Sequence, residues 1–229
     1  MKFAKILLLF YFSTSSFVSA VEPGYWAMFF NQTRISNKWS IHTEVQFRNA
    51  TFRPNTEQVL YRVGINYHFK PDVLFTAGFA EVPNYAFQEG FAKPPSSNEH
   101  RVWQQVLLRN NYGRFFIEHR YRVEQRWLLS AQQNTYKNRM RYMLRVSVPI
   151  NKKQIQKNTL FLVASDEVFL HLNSNPYDRN RIYVATGFQI ATGANLQLGF
   201  LWQTTASNTR KYAQVALNYN LDFRKEEKK

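Results

Sequence analysis

Cysteine is absent from the 229 residues, so disulfides and thiolate metal sites are excluded, and stability must come from burial or from closure of a hydrogen-bonded sheet. Glycine and proline are scarce, eight of each, which sets the chain apart from low-complexity and disordered sequences. Acidic residues are few beside basic ones, 15 against 30, for a formal charge of +15. The basic excess would suit nucleic acid, but the sequence has no compact lysine-rich patch of the kind such binding uses. Anionic lipid headgroups and an arginine-lined polar interior are the readings that remain. No segment between Gly24 and Phe223 sustains a helical period.

What the chain has in quantity is aromatic side chains, 17% of residues, a strand-forming composition. The first twenty residues, MKFAKILLLFYFSTSSFVSA, read as a secretory signal. Lys2 and Lys5 precede an apolar run from Ile6 to Phe12, and small residues close on Ala20. Ser13 to Ser16 interrupt that run well short of the ~20 apolar residues a membrane anchor needs. The sequence therefore predicts export by the general secretion route, one barrel domain over 21–223, and a charged tail over 224–229.

From Gly24 onward one unit repeats, an alternating segment of about 10 to 15 residues and then a turn. Eleven such segments occur, at 25–33, 39–48, 57–69, 72–83, 99–109, 113–127, 138–149, 159–170, 179–190, 193–204 and 212–223. Strands of soluble domains usually run about five or six residues, whereas a tilted bilayer-crossing strand needs about 9 to 11. Shorter connections (34–38, 70–72, 111–113, 151–158, 191–193) interleave with generally longer polar ones (49–56, 84–98, 128–137, 171–178, 205–211). Membrane barrels distribute short inner turns and long outer loops this way.

Alternation sorts the faces. Val59, Tyr61, Val63, Ile65, Tyr67 and Phe69 oppose Leu60, Arg62, Gly64, Asn66 and His68. Trp26, Trp39, Trp127, Trp202, Tyr67 and Phe69 fall near segment ends, where interfacial girdles lie, and the last segment closes on Phe223. The fold class is thus all-β, an antiparallel up-and-down transmembrane barrel. Because bacterial single-chain barrels have even strand numbers, the eleven segments are read as ten or twelve strands, one being misdivided or lying outside the wall.

The segment EHRYRVEQRW places Glu118, Arg120, Arg122, Glu124 and Arg126 on one face. An arginine facing lipid near the midplane costs about 2–4 kcal/mol, so this ladder is expected in the lumen. Arg139, Arg141, Arg145, Glu99, Arg101, Glu44, Arg62, Glu167 and Arg181 are expected beside it. A barrel this narrow is filled by such side chains. Arg122→Leu is then expected to leave buried carboxylates unpaired. His119 falls on the nominal lipid face, which points to a bulge or an interface position.

These segments carry a family resemblance: NEHRVWQQVLLRN (98–110), HRYRVEQR (119–126), RMRY (139–142) and YDRNRIYVATGFQI (177–190). In order, spacing and strand context the chain resembles DUF2490, described as bacterial, exported, of unknown function and predicted to form an outer-membrane barrel. The resemblance implies fold and location, and covers Glu99, Arg101, Trp103, Gln104, Arg120, Arg122, Glu124, Arg126, Arg139, Arg141, Asn180 and Arg181. It implies no activity, and Trp103 shares a face with Glu99 and Arg101 that alternation alone leaves unassigned.

Three functions compete. The leading one is a non-enzymatic, structural or surface-interaction barrel, with the loop around Tyr85, Phe87 and Phe91 as its contact surface. Its partners are outer-membrane lipids, lipopolysaccharide and the outer-membrane insertion machinery, with no nucleic acid. The second is a narrow anion-selective pore, since arginine rings favour anions. The third is a lipid-modifying enzyme using His171, Asn173, Ser174, Asp178, Asp166 or Glu167, although no nucleophile motif such as GxSxG occurs. The five histidines, His42, His68, His100, His119 and His171, have no metal-ligand spacing, and neither metal nor cofactor is expected.

Overall fold

The computed structural model describes residues 23–52, 56–86, 93–172 and 175–224. The segment read as a secretory signal, most of the expected tail, Phe87, Phe91, Asn173 and Ser174 lie outside the described residues. The described chain forms eleven strands of 11 to 16 residues. They are β1 (Gly24–Arg34), β2 (Trp39–Asn49), β3 (Thr56–Lys70), β4 (Val73–Asn84), β5 (Ser97–Tyr112), β6 (Phe115–Ser130), β7 (Thr135–Pro149), β8 (Thr159–His171), β9 (Tyr177–Ala191), β10 (Ala194–Thr205) and β11 (Thr209–Asp222). Each pairs with its sequence neighbours and the sheet closes into a barrel.

The number is eleven, which corrects the reading of ten or twelve. Evenness follows only if the closing pair is antiparallel. Here β1 and β11 close the barrel in parallel, Ala27 opposite Val215 and Phe29 opposite Leu217. An odd count needs one such seam. The two ends of the described chain therefore leave opposite mouths, β1 starting at the long-loop end and β11 ending at the short-turn end.

Turn chemistry keeps the short-turn end tight. Tyr112 pairs with Phe115 across two residues, and Gly113 has φ +60°, where a Cβ is disfavoured. The nine-residue connection between β7 and β8 instead folds back on the same mouth. Its Ile155 packs against a buried lumenal cluster that includes Trp26, Phe161, Tyr183, Leu201 and Tyr212. Trp26 is thus an interior side chain, not part of a girdle. Its parity explains why: Tyr25 and Ala27 take the outward positions of β1.

Outward positions are mostly apolar and exposed, among them Ile65 (60%), Leu198 (57%) and Phe200 (62%). Trp39, Trp127 and Phe69 are also exposed, and Trp202 packs outside against Phe200. Polar groups on this face bond one another: His119 Nδ1 with the Tyr142 hydroxyl at 2.9 Å, Asn180 Nδ2 donating to Asp166 at 2.5 Å. The β6–β7 register runs unbroken past His119, so no bulge occurs there.

Candidate functional site in the barrel interior

Strand pairing builds the interior network. Because β6 and β7 are antiparallel with Glu124 opposite Arg139 and Arg122 opposite Arg141, alternate residues of both strands meet inside the lumen. Glu124 is fully buried. Its Oε2 accepts from Arg139 Nη2 at 2.5 Å and Nε at 2.9 Å, and its Oε1 accepts from Arg141 Nη1 at 2.7 Å. Arg62 Nη2 from β3 lies 3.7 Å from the same Oε1. One carboxylate therefore joins three guanidinium groups across the barrel.

Two other carboxylates extend the network. Glu167 Oε1 accepts from Arg141 Nε at 2.9 Å and Arg120 Nη2 at 2.7 Å. Glu44 accepts from Arg62 Nη1 at 2.7 Å and from Gln46, with His42 Nε2 at 3.2 Å. Toward the long-loop end, Arg101 bonds both oxygens of Glu99, at 2.7 and 2.8 Å, and Arg126 bonds them from β6. Asp178 accepts from Arg139 at 2.9 Å. Toward the short-turn end, Glu118 lies 3.1 Å from Arg109 and 3.9 Å from Arg145. Forked arginine–carboxylate bonds of this kind are stronger than neutral ones and fix geometry.

Aromatic rings support the cations, a feature that alternation alone does not announce. Trp103, fully buried, lies under Arg122 at 4.8 Å and Arg62 at 5.3 Å. Phe169 carries Arg139, Arg141 and Arg181, and Trp26 carries Arg48 and Arg181. Such contacts contribute about 2 kcal/mol when desolvated. Gly64 and Gly78 sit opposite each other beneath the Trp103 indole, where a Cβ on either would meet its ring at 2.9 Å. The usable signal was parity: Glu99, Arg101 and Trp103 are spaced by two and share the inward face.

Arg122 differs from its neighbours. Its Nε and Nη2 donate to Gln105 Oε1 at 3.0 and 2.6 Å, and its nearest carboxylate, Glu124, is 3.9 Å away. Since Glu124 has three other arginines, removing Arg122 leaves no carboxylate unpaired. That corrects the expectation for Arg122→Leu.

The interior is not solid throughout. A central cavity of about 110 Å³ is lined by Arg122, Arg120, Arg145, Arg181, Glu44 and Glu167, together with Trp26 and Leu201. A vestibule of about 750 Å³ opens toward the short-turn end, lined by Arg109, Arg114, Phe115, Lys153 and Ile155 among others. Phe30, Glu44, Arg120, Arg122, Met143, Arg145, Gln197 and Asn218 line both spaces.

The residues weighed for lipid chemistry are separated by the wall. Glu167 is buried inside, while Asp166 is exposed outside. His171 Nε2 is 3.8 Å from Asp178 Oδ1, and Asn173 and Ser174 lie outside the described residues. Among the described residues no group of three or more histidines and carboxylates could hold a metal ion. Of the expected contact loop, Tyr85 is described, its backbone N–H donating to Glu57 at 2.8 Å.

Fold and site together define a closed β-barrel with a buried arginine–carboxylate interior. The chain belongs to the family described as "Protein of unknown function (DUF2490)", which matches residues 23–214. Neither a curated protein nor a solved structure matches it.

Proposed function

We propose that the chain is an integral barrel of the bacterial outer membrane, exported with its signal segment removed and inserted by the outer-membrane assembly machinery. Its role in this reading is non-enzymatic, structural or surface-interacting, with lipids and lipopolysaccharide around the wall and the long loops outside. The observation that carries it is the outward face: Tyr61, Val63, Ile65, Ile182, Val184, Leu198, Phe200 and Val215 are all exposed. Soluble monomers rarely expose a contiguous apolar patch beyond a few hundred Å², and hydrocarbon is the solvent that removes the cost. The inward carboxylates fit the same solvent, each being held by an arginine.

Fractionation of the producing cell tests this. The folded protein should be found with the outer-membrane fraction and migrate faster on a gel unboiled than boiled. Recovery in the soluble periplasm would reject the reading. The arginine-rich vestibule favours a second reading, an anion-selective pore, which conductance decides.

A further inference from the structure

The charges around the central cavity do not balance. Seven guanidinium groups line it against two carboxylates, Glu44 and Glu167, and both carboxylates are already held by arginines, Arg62 for the first and Arg120 with Arg141 for the second. Arg181 uses its Nε on Gln203 at 2.8 Å and has no carboxylate within 4.0 Å among the described residues. Arg145 donates to Gln197 and stands 3.9 Å from Glu118. Buried cations without a compensating anion are costly.

Unmet donors point the same way. Arg122 is 2% exposed, yet its Nη1 has no acceptor. Arg120 Nε and Arg62 Nε, buried in the same lining, also lack one. Buried N–H groups are rarely left unmade in this way. The space beside them holds several waters or one small polyatomic ion, and guanidinium forks match the oxygens of carboxylate and phosphate.

We propose that this cavity is a binding site for a small oxyanion of phosphate or carboxylate chemistry. The anion enters by the vestibule at the short-turn mouth and is held by Arg122, Arg120 and Arg145. The vestibule adds Arg109, Arg114 and Lys153 along the way, a field that draws anions inward. The site lies within the barrel, so it holds whether or not the wall sits in a membrane.

The test uses the full folded chain in detergent, with inorganic phosphate and acetate as probes and chloride at matched ionic strength as reference. Phosphorus NMR of free phosphate and the thermal unfolding midpoint are followed together. Saturable broadening of the phosphate line, with a midpoint raised beyond that in chloride, supports the site; a saturable rise with acetate alone also supports it and assigns carboxylate. Arg122→Gln should weaken binding by about tenfold or more, as loss of a charged hydrogen-bond donor does. Should that variant fail to fold, Arg145→Gln is the substitute, because Glu118 keeps Arg109 at 3.1 Å. Identical behaviour in phosphate, acetate and chloride overturns the proposal. So does an equal loss in Arg210→Gln, whose side chain is 40% exposed at the start of β11, at the opposite mouth.

Discussion

Glu124 is the residue on which most of the interior depends. Its two oxygens hold Arg139 and Arg141, with Arg62 nearby, and a neutral amide in its place would remove the buried anion they share, leaving Arg139 to Asp178, Arg141 to Glu167 and Arg62 to Glu44. Breaking a buried pair from one side costs about 3–5 kcal/mol. Glu124→Gln should lose stability on that scale, measured by urea unfolding of the detergent-folded protein, and Arg122→Leu should lose less. Equal losses would mean that Arg122 is as firmly paired as Glu124. Alternation in the sequence put Glu118 through Arg126 on one face. It was silent about partners, because an arginine's reach to β7 or β3 depends on how the strands register.

At the level of the strand, the eleven alternating segments coincide with the eleven strands to within three residues at every end. An even count does not follow from them, since evenness presumes an antiparallel closure and β1 meets β11 in parallel. The parallel seam is directly testable, and a chain without cysteine makes the test clean. Ala27→Cys with Val215→Cys joins facing positions on β1 and β11; neighbouring strands lie about 4.7–4.9 Å apart, inside the Cα separation of about 4.4–6.8 Å that a disulfide accepts. Oxidation should cross-link this pair and leave Ala27→Cys with Leu221→Cys unlinked. The reverse result would mean a different closure. The seam's side-chain bond, Asn31 Nδ2 donating to Tyr219 O at 2.6 Å, pins the same register.

Taken as a whole, the barrel is asymmetric along its axis. Glu99, Arg101, Arg126, Glu124 and Arg139 fill its long-loop half on the β5–β7 side, whereas the short-turn half holds the vestibule. A lumen blocked by buried, mutually bonded side chains conducts poorly, since each ion would have to break charged hydrogen bonds to pass. Planar bilayers containing the protein should therefore show no steady conductance. Discrete anion-selective steps would favour the pore reading and would make the central cavity a station on a path.

Composition and alternation by themselves determined an all-β chain, strands twice the usual length, their placement, and the grouping of charges on one side of each. These follow from the pleat, whose period of two is written residue by residue. Closure, the parallel seam, the inward turn of Trp26 and Trp103, and the pairing of Glu124 with three arginines were decided only by the tertiary structure. Each depends on which strand lies beside which and in what register, and those are contacts between residues far apart in the chain, where local periodicity carries no information.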